Sequence, residues 1–237
     1  MSTSQFLDWF KLVGSNAYDV VSSDAMTTGL DGSIYISGYT EGNLDGQTNN
    51  GERDAFISKY NSDGTFQWTK LIGTTGRDEG HALTTGSDGS IYIAGETQGD
   101  LTNSGDSGAF LSKYNPDGTK EWTKLLGSSA IDESYALTTG NDGSIYVSGR
   151  TLGDFGGQTN NGVQDAFISK YNPDGTNEWT RLLGASASDN GSTLTTGNDG
   201  SIYVAGYTEM GEDSYDIDPT ISKFNSEGTK IWTRVLP

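Results

Sequence analysis

A string of sixteen residues recurs four times along this chain, and that repetition restricts the possible folds more than any other feature. The copies begin at Ala25, Ala82, Ala136 and Thr193, and the Asp of their Asp-Gly-Ser turns recurs at spacings of 57, 54 and 57 residues. Repeats of this length are typical of propellers and solenoids, in which each repeat forms one supersecondary unit. Because four copies fill almost all of the 237 residues, we expect one domain over 1–237, with repeats at about 15–72, 74–126, 128–183 and 185–237.

Each repeat contains four short segments with the features of β-strands, here named a to d. In the second repeat they read HALTTG (81–86), SIYIAG (90–95), AFLSKYN (109–115) and EWTKLLG (121–127). Segments b and c carry apolar side chains on both faces, and the Asp-Gly turns between segments favour tight connections. The pattern predicts an all-β chain, a β-propeller with four blades of four antiparallel strands, with a innermost and the Trp-containing d outermost.

One strand is left over. The stretch FLDWFKLVG near the N-terminus resembles a d strand, although the fourth repeat has its own in TKIWTRVLP. This predicts a surplus Trp-containing outer strand at 5–14. One d strand could close the ring, which removes exposed sheet edges; the surplus strand could instead pair with another copy, or the chain could be a section of a longer array.

The repeats resemble a known family. The run D-A-F-I-S-K-Y-N-x-D-G-T-x-x-W-T-K-L-x-G and the following D-G-S-I-Y-I-A-G-x-T are carried by 54–73 and 88–97, and again by 165–184 and 199–208. This pattern is similar to the bacterial β-propeller repeats known as SBBP repeats. The resemblance implies a secreted or surface-exposed propeller module, often part of a larger bacterial protein, and it implies no particular chemistry.

The negative charge of the chain makes some classes of binding partner unfavourable. With 32 acidic and 14 basic side chains, its formal net charge is −18. Such a surface repels nucleic acid and anionic lipid, whereas it suits cations or basic partners, or serves solubility alone. There is no cysteine, and neither a signal peptide nor an apolar run long enough to span a membrane is visible. From the resemblance we expect an extracellular or cell-surface location.

A carboxylate recurs in the d–a connection of every repeat. Five residues after the Gly that ends each d strand stand Asp19, Asp78, Asp132 and Asp189. Four related carboxylates at the opening of a propeller channel could bind Ca²⁺, which prefers oxygen ligands. Alternatively, each Asp accepts hydrogen bonds from its own loop and only shapes that connection.

The residue after the b-strand Gly differs in every repeat within otherwise similar surroundings. These four positions hold Tyr39, Glu96, Arg150 and Tyr207. Converging from four blades, they would line a shallow polar pocket for a carbohydrate or protein ligand. The alternative is four independent surface choices, with Glu96 and Arg150 forming an exposed ion pair of small energy.

Catalytic signals are weak. The lone histidine, His81, has Tyr135 and Ser192 at the equivalent places of other repeats, which predicts an incidental polar residue and no Ser–His or Cys–His nucleophile. The long b–c loops at 42–54, 99–108, 153–165 and 209–219 contain oxygen-rich groups but match no EF-hand spacing. Acidic pairs are abundant, and a glycosidase needs two at the right separation.

These observations favour a non-enzymatic extracellular binding or adhesion module, possessing a Ca²⁺ site at the four aspartates and presenting its variable b–c loops to a partner. A structural protein that oligomerises through the surplus strand is the first alternative. A carbohydrate-active enzyme with paired carboxylates is the second.

Overall fold

The computed structural model describes residues 14–102, 108–128, 130–184, 187–209 and 217–236. These residues form sixteen β-strands and no helix, which confirms the all-β prediction. None of the described segments could cross a membrane as a helix. The predicted surplus strand at 5–14 lies almost entirely outside the described residues.

The strands fall into four consecutive units of four. The first unit contains β1 (Asp19–Thr28), β2 (Ile34–Thr40), β3 (Asp54–Tyr60) and β4 (Phe66–Ile72). The second contains β5 (Asp78–Thr85), β6 (Ile91–Thr97), β7 (Gly108–Tyr114) and β8 (Lys120–Leu126). The third contains β9 (Asp132–Thr139), β10 (Ile145–Thr151), β11 (Asp165–Tyr171) and β12 (Asn177–Leu183). The fourth contains β13 (Asp189–Thr196), β14 (Ile202–Glu209), β15 (Ile217–Phe224) and β16 (Lys230–Val235). We call these units blades 1 to 4, and every strand falls within the repeat boundaries expected from the sequence.

Every blade is an antiparallel meander in chain order. Strand a is innermost and strand d outermost, as predicted, because β1, β5, β9 and β13 pack side by side in sequence while the d strands lie at the far edge of each sheet. A single parallel bridge between Asp24 and Ala82 joins blades 1 and 2 into one eight-stranded sheet.

The Asp-Gly turns close the hairpins as their sequence predicts. In the a–b turn of blade 2, Gly89 has a φ of +82°, and the carboxylate of Asp88 accepts the N–H of Ser90 at 3.0 Å. Glycine occupies this left-handed conformation without steric cost. The Asp of the same turn also contacts Lys113 of strand c, with 3.4 Å between Oδ2 and Nζ. The equivalent Asp and Lys are ion-pair partners in the other three blades, at 3.3–3.4 Å: Asp31 with Lys59, Asp142 with Lys170 and Asp199 with Lys223.

The core lies between the blades. Separate apolar clusters fill the spaces between blades 1 and 2, 2 and 3, and 3 and 4. Strand c is buried along its whole length in blade 2, as expected for a strand whose two faces are both covered. Burial of apolar surface on this scale is the main favourable term that holds neighbouring blades together.

A tryptophan hydrogen bond repeats at each joint between blades. The indole Nε1–H groups of Trp68, Trp122 and Trp179 donate to carbonyl oxygens in the c–d turn of the next blade, those of Pro116, Pro173 and Ser226, over 3.1–3.3 Å. The corresponding Trp232 of blade 4 has no such acceptor among the described residues.

The two end blades differ from the inner ones in the burial of equivalent side chains. Ile34 and Ile36 of blade 1 are half-buried, whereas Ile91 and Ile93 of blade 2 are completely buried. At the other end of the series of blades, Tyr203 of blade 4 is half-buried. Its counterparts Tyr35, Tyr92 and Tyr146 are 1–2 % exposed. The joint between blades 4 and 1 is thus open among the described residues.

Candidate functional site

The b–c and d–a connections lie at the same end of the blades, as the alternating strand directions predict. Arg53 of a b–c loop forms a parallel bridge with Arg77 of the neighbouring d–a loop, and Gln164 pairs with Ser188 in the same way. The connections that differ between repeats are therefore joined to one another by backbone hydrogen bonds. We call this end of the molecule the variable end.

The four variable residues that follow the b-strand Gly lie at this end, and each is half-buried. Each faces the second residue of the inner strand in its own blade. The cross-strand pairs are Tyr39 with Val20, Glu96 with Glu79, Arg150 with Glu133 and Tyr207 with Asn190. Residues directly opposite each other in an antiparallel pair have Cβ atoms close enough to interact. The candidate site therefore contains two variable residues from each blade, one on strand a and one on strand b. The comparison of repeats identified only the residues on strand b.

Arg150 is held by its cross-strand partner. Its Nε and Nη2 donate to the two carboxylate oxygens of Glu133 at 3.0 and 2.6 Å, and its Nη1 donates to Gln164 Oε1 at 3.1 Å. The Tyr135 hydroxyl donates to the same carboxylate. Although burial raises the pKa of Glu133, these hydrogen bonds outweigh it and lower the pKa overall. The exposed pair between Arg150 and Glu96, which was the alternative to a pocket, is not formed, and Arg150 makes this bidentate, half-buried pair with Glu133 instead.

A second guanidinium lies on the blade 1 side. Arg53 stacks over the ring of Tyr39, with 4.5 Å from Cζ to the centroid. Its Nη1 donates to Oε1 of Glu79 in blade 2, and its Nε donates to Glu41 at 3.1 Å. Arg53 thus links the first two blades and fixes the orientation of both Tyr39 and Glu79.

Glu96 differs from the other acidic groups of the candidate site. Burial, followed by repulsion from the charge of Glu133, raises its pKa. The pKa of Glu79 is lowered instead, chiefly by His81 and also by Arg53. Environments that separate the pKa values of neighbouring carboxyl groups are typical of functional sites.

His81, which the sequence predicts to be an incidental polar residue, lies within this group and contacts two of its neighbours. Its Nδ1 is 2.9 Å from the Ser134 carbonyl oxygen, its Nε2 is 3.7 Å from Glu79 Oε2, and its ring stacks on Tyr135 with centroids 5.7 Å apart. Burial lowers the pKa of His81, but Glu79 and the Ser134 carbonyl outweigh that effect and raise it overall. Other repeats have Tyr135 or Ser192 at this place, so the comparison of repeats did not single out His81. In the structure all three side chains lie near the central axis.

The inner strands of all four blades surround one cavity of about 340 Å³. The side chains and backbone that line it are mostly hydroxyl-, carboxamide- and ring-bearing: Ser22, Ser23, Asp24, His81, Tyr135, Asn190 and Ser192. We call it the axial cavity. Its volume is at the lower end of the range for small-molecule sites.

The four loop aspartates are engaged within their own connections. The carboxylates of Asp19, Asp78 and Asp132 each accept the backbone N–H of the residue four positions earlier, at 2.6–2.7 Å. Asp189 is also buried and partnered. This matches the loop-shaping alternative, and the structure does not bring three of these carboxylates within a common coordination distance among the described residues. Calcium binding there stays a prediction.

The b–c loops are only partly described, since 103–107 and 210–216 fall outside the described residues. In the first loop, Asp45 has a φ of 47° and its carboxylate accepts the Thr69 hydroxyl at 2.5 Å, while the Asn49 side chain donates to the Thr40 carbonyl at 2.8 Å. These oxygen-rich groups stabilise the loop itself.

Sequence reasoning missed Glu79, Glu133 and Arg53. The first two directly follow the constant Asp of each d–a connection, a position that reads Val20, Glu79, Glu133 and Asn190 and is as variable as the predicted one. Pairing the two variable positions through the hairpin register would have found them. Arg53 was not recoverable in this way, because it contacts Glu79 across a blade boundary.

Comparisons with known proteins agree with this architecture. The SBBP β-propeller repeat family matches residues 67–102, 121–156 and 178–209, and a β-propeller domain of unknown function matches 86–121. The regulatory protein FlaEY of Caulobacter vibrioides is 30% identical over 223 residues, covering 82% of this chain and 23% of that protein. An uncharacterized WD repeat-containing protein of Acanthamoeba polyphaga mimivirus is 26% identical over 184 residues, covering 69% and 11%. The chain spans less than a quarter of either relative.

Among solved structures, the xylan β-1,4-xylosidase of Bacillus halodurans superposes with a TM-score of 0.51 at 14% identity, covering 96% of this chain and 45% of that enzyme. At this identity the likeness concerns the fold alone. The repeat matches, the sixteen strands in four-stranded meanders and the inter-blade cores lead to one conclusion: this chain is a β-propeller protein that carries SBBP repeats at three places.

Proposed function

We propose that the chain is a non-enzymatic binding module that holds a carbohydrate in the axial cavity. The observation that carries the proposal is the convergence of all four inner strands on that cavity. Every blade contributes at least one polar or aromatic residue to the lining, and together they provide hydroxyl, carboxylate, imidazole, phenol and carboxamide groups. Such groups match the hydroxyl-rich and partly apolar surfaces of a sugar, and a few convergent polar groups are typical of ligand pockets.

The charges around the cavity disfavour an anionic ligand. Arg53 and Arg150 are each neutralised by a carboxylate at hydrogen-bond distance, so neither guanidinium is available as a dedicated anion receptor. The net charge of −18 further disfavours polyanions. Tyr207 and Tyr39 at the variable end extend the surface on which a longer glycan would lie.

An extracellular or surface location is part of the proposal and rests on the family resemblance. A protein partner at the variable b–c loops is the alternative ligand, and the glycan experiment below discriminates between the two.

The proposal is tested with a glycan array followed by calorimetry on the strongest neutral glycan. We expect Tyr135→Ala and Tyr207→Ala to weaken binding at least about tenfold, which corresponds to about 1.4 kcal/mol. Phe66→Ala, on the outer strand β4 away from the cavity, is the matched control and should bind normally. Absence of glycan binding, or equal binding by all variants, would refute the proposal. Release of new reducing ends, abolished by Glu96→Gln, would instead identify an enzyme that uses the separated pKa values of Glu96 and Glu133.

A second candidate, assembly of copies end to end, is favoured by the open joint. Blade 4 presents Tyr203 and an indole donor on Trp232, while blade 1 presents Ile34 and Ile36, the same kinds of residue that fill the three closed joints. A second copy could therefore dock its blade 1 on this blade 4, a heterologous contact between two different surfaces.

Mass measurement over a range of protein concentrations tests assembly. We expect a concentration-dependent increase in mass that Ile36→Lys abolishes, since a charge would be buried in the contact. Val163→Lys, at an exposed loop position, should leave assembly unchanged. A strict monomer at all concentrations would eliminate this candidate.

A further inference from the structure

One hairpin of blade 2 places three metal-ligating side chains together. Ligand atoms of Glu79, His81 and Glu96 all lie within 4.8 Å of one another, and this is the one such group of three among the described residues. Glu79 and His81 lie two residues apart on β5, on either side of a register shift, and His81 Nε2 is 3.7 Å from Glu79 Oε2. Glu96 is the cross-strand partner of Glu79 on β6.

The pairing of Glu79 with Glu96 is unfavourable without a cation. Like charges directly opposite each other in an antiparallel pair are destabilising, and both side chains here are half-buried. Arg53 donates to one oxygen of Glu79, Oε1. The other carboxylate oxygen of Glu79, Oε2, faces His81. The carboxylate of Glu96 accepts no hydrogen bond from the described residues.

The imidazole is oriented as metal-binding histidines are. Its Nδ1 lies 2.9 Å from the Ser134 carbonyl oxygen, which can only accept, so Nδ1 carries the proton and Nε2 presents a lone pair in the neutral ring. A backbone carbonyl that fixes the tautomer in this way is the usual outer partner of a histidine ligand. The Nε2 to Glu79 Oε2 distance of 3.7 Å is only about 0.3 Å longer than the separation of roughly 3.4 Å between two ligand atoms bound at about 2.0–2.1 Å to one tetrahedral ion.

We infer that Glu79, His81 and Glu96 bind a divalent transition metal ion, of which Zn²⁺ is the best match. One imidazole and two carboxylates suit a borderline ion and not Ca²⁺, which prefers oxygen ligands alone. Three protein ligands leave a fourth position for water or for a ligand oxygen in the axial cavity, which His81 also lines. The inference does not rest on carbohydrate binding, since the ion is held by protein side chains alone.

The other blades provide matched variants, because none repeats this set. Blade 3 has Glu133, Tyr135 and Arg150 at the same three places, where Arg150 takes the position of a ligand and forms an ion pair. The double variant His81→Tyr with Glu96→Arg gives blade 2 the side chains that blade 3 already accommodates. It removes the metal site while preserving a combination that the same backbone supports.

The experiment is a calorimetric titration of untagged, chelator-treated protein with ZnCl₂, without any glycan, together with CoCl₂ absorption spectra. We expect one equivalent of Zn²⁺ and ligand-field bands of four-coordinate Co²⁺. His81→Ser and Glu96→Gln should each weaken Zn²⁺ binding at least about tenfold, and the double variant should abolish the bands.

Glu121→Gln is the control, since Glu121 is an outer-strand carboxylate paired with Lys113; it should bind Zn²⁺ normally. Thermal melts confirm that each variant is folded. No stoichiometric binding by the parent protein, or unchanged binding by His81→Ser, would overturn the inference. Failure here leaves the glycan result unaffected, so the two proposals can fail separately.

Discussion

Asp54 and Asp165, the first residues of two c strands, carry buried charge that is incompletely compensated. Both side chains are completely buried, and each has one carboxylate oxygen, Oδ1, without a hydrogen-bond partner. The other oxygen accepts a backbone N–H, from Asn50 or Asn161. Burial raises the pKa of both groups, and the nearby Asp78 and Asp189 raise it further. An unsatisfied buried acceptor costs about 1–3 kcal/mol.

The raised pKa of Asp54 leads to a pH-dependent prediction. The pKa of Asp54 is higher in the folded protein than in the unfolded chain, where it is near 3.8. The contribution of Asp54 to the free energy of unfolding is therefore most favourable below the unfolded pKa, and it is lost as the pH rises through the folded pKa. We expect the free energy of unfolding of Asp54→Asn to equal that of the parent protein near pH 4 and to be higher by about 1 kcal/mol or more at pH 8. Urea unfolding across this range measures the difference. Asp24→Asn, an exposed site, should show no such trend; a constant difference for Asp54→Asn would contradict the prediction.

The inner hairpin of each blade depends on one glycine. A Cβ on Gly95 of β6 would lie 1.9 Å from the carbonyl oxygen of Glu79, and the equivalent Gly38, Gly149 and Gly206 are equally restricted. In three of the four blades the register between a and b shifts at this glycine, while in blade 1 the irregularity extends over Val21 to Met26. The close approach of the two backbones explains why this glycine never varies among the repeats.

Substitution of this glycine should disrupt the hairpin. We expect Gly95→Ala to lower the free energy of unfolding by about 3 kcal/mol or more, because neither backbone can move away without breaking the strand pairing. Gly76→Ala is the control, since its added Cβ would lie 3.2 Å from the Gln98 backbone, a tight contact that a shift of a few tenths of an ångström relieves. Chemical denaturation measures both. A Gly95→Ala protein as stable as Gly76→Ala would show that the hairpin relaxes easily.

The strands and turns were predictable from the sequence because they depend on local chemistry repeated four times. Alternating apolar residues and Asp-Gly turns identified all sixteen described strands and their order within each blade. The candidate site was only half predictable. Arg150 was found because it interrupts a repeated string, but its partner Glu133 and the orientation of His81 depend on cross-strand register and on contacts between blades, which sequence similarity among repeats does not reveal.

Across the whole molecule, the tryptophan hydrogen bonds connect neighbouring blades at their outer strands, in addition to the apolar clusters and the polar contacts nearer the axis. Trp122 donates to the carbonyl of Pro173 at 3.2 Å, whereas Trp232 makes no equivalent bond among the described residues. We expect Trp122→Phe to destabilise the protein by about 1 kcal/mol more than Trp232→Phe, since only the former leaves a carbonyl without its donor. Thermal unfolding of the two variants provides the comparison. Equal losses would mean that ring size alone determines the effect.

The sequence of the variable end also determines how a ligand would be oriented if it binds there as proposed. Four blades with identical side chains would offer a ligand four equivalent orientations about the central axis. The four equivalent positions hold two tyrosines, one glutamate and one arginine: Tyr39, Tyr207, Glu96 and Arg150. The four orientations are therefore not equivalent. A ligand bound there as proposed would lose the choice among four orientations, worth RT ln 4 or about 0.8 kcal/mol, and would be held in one direction on a nearly symmetric scaffold.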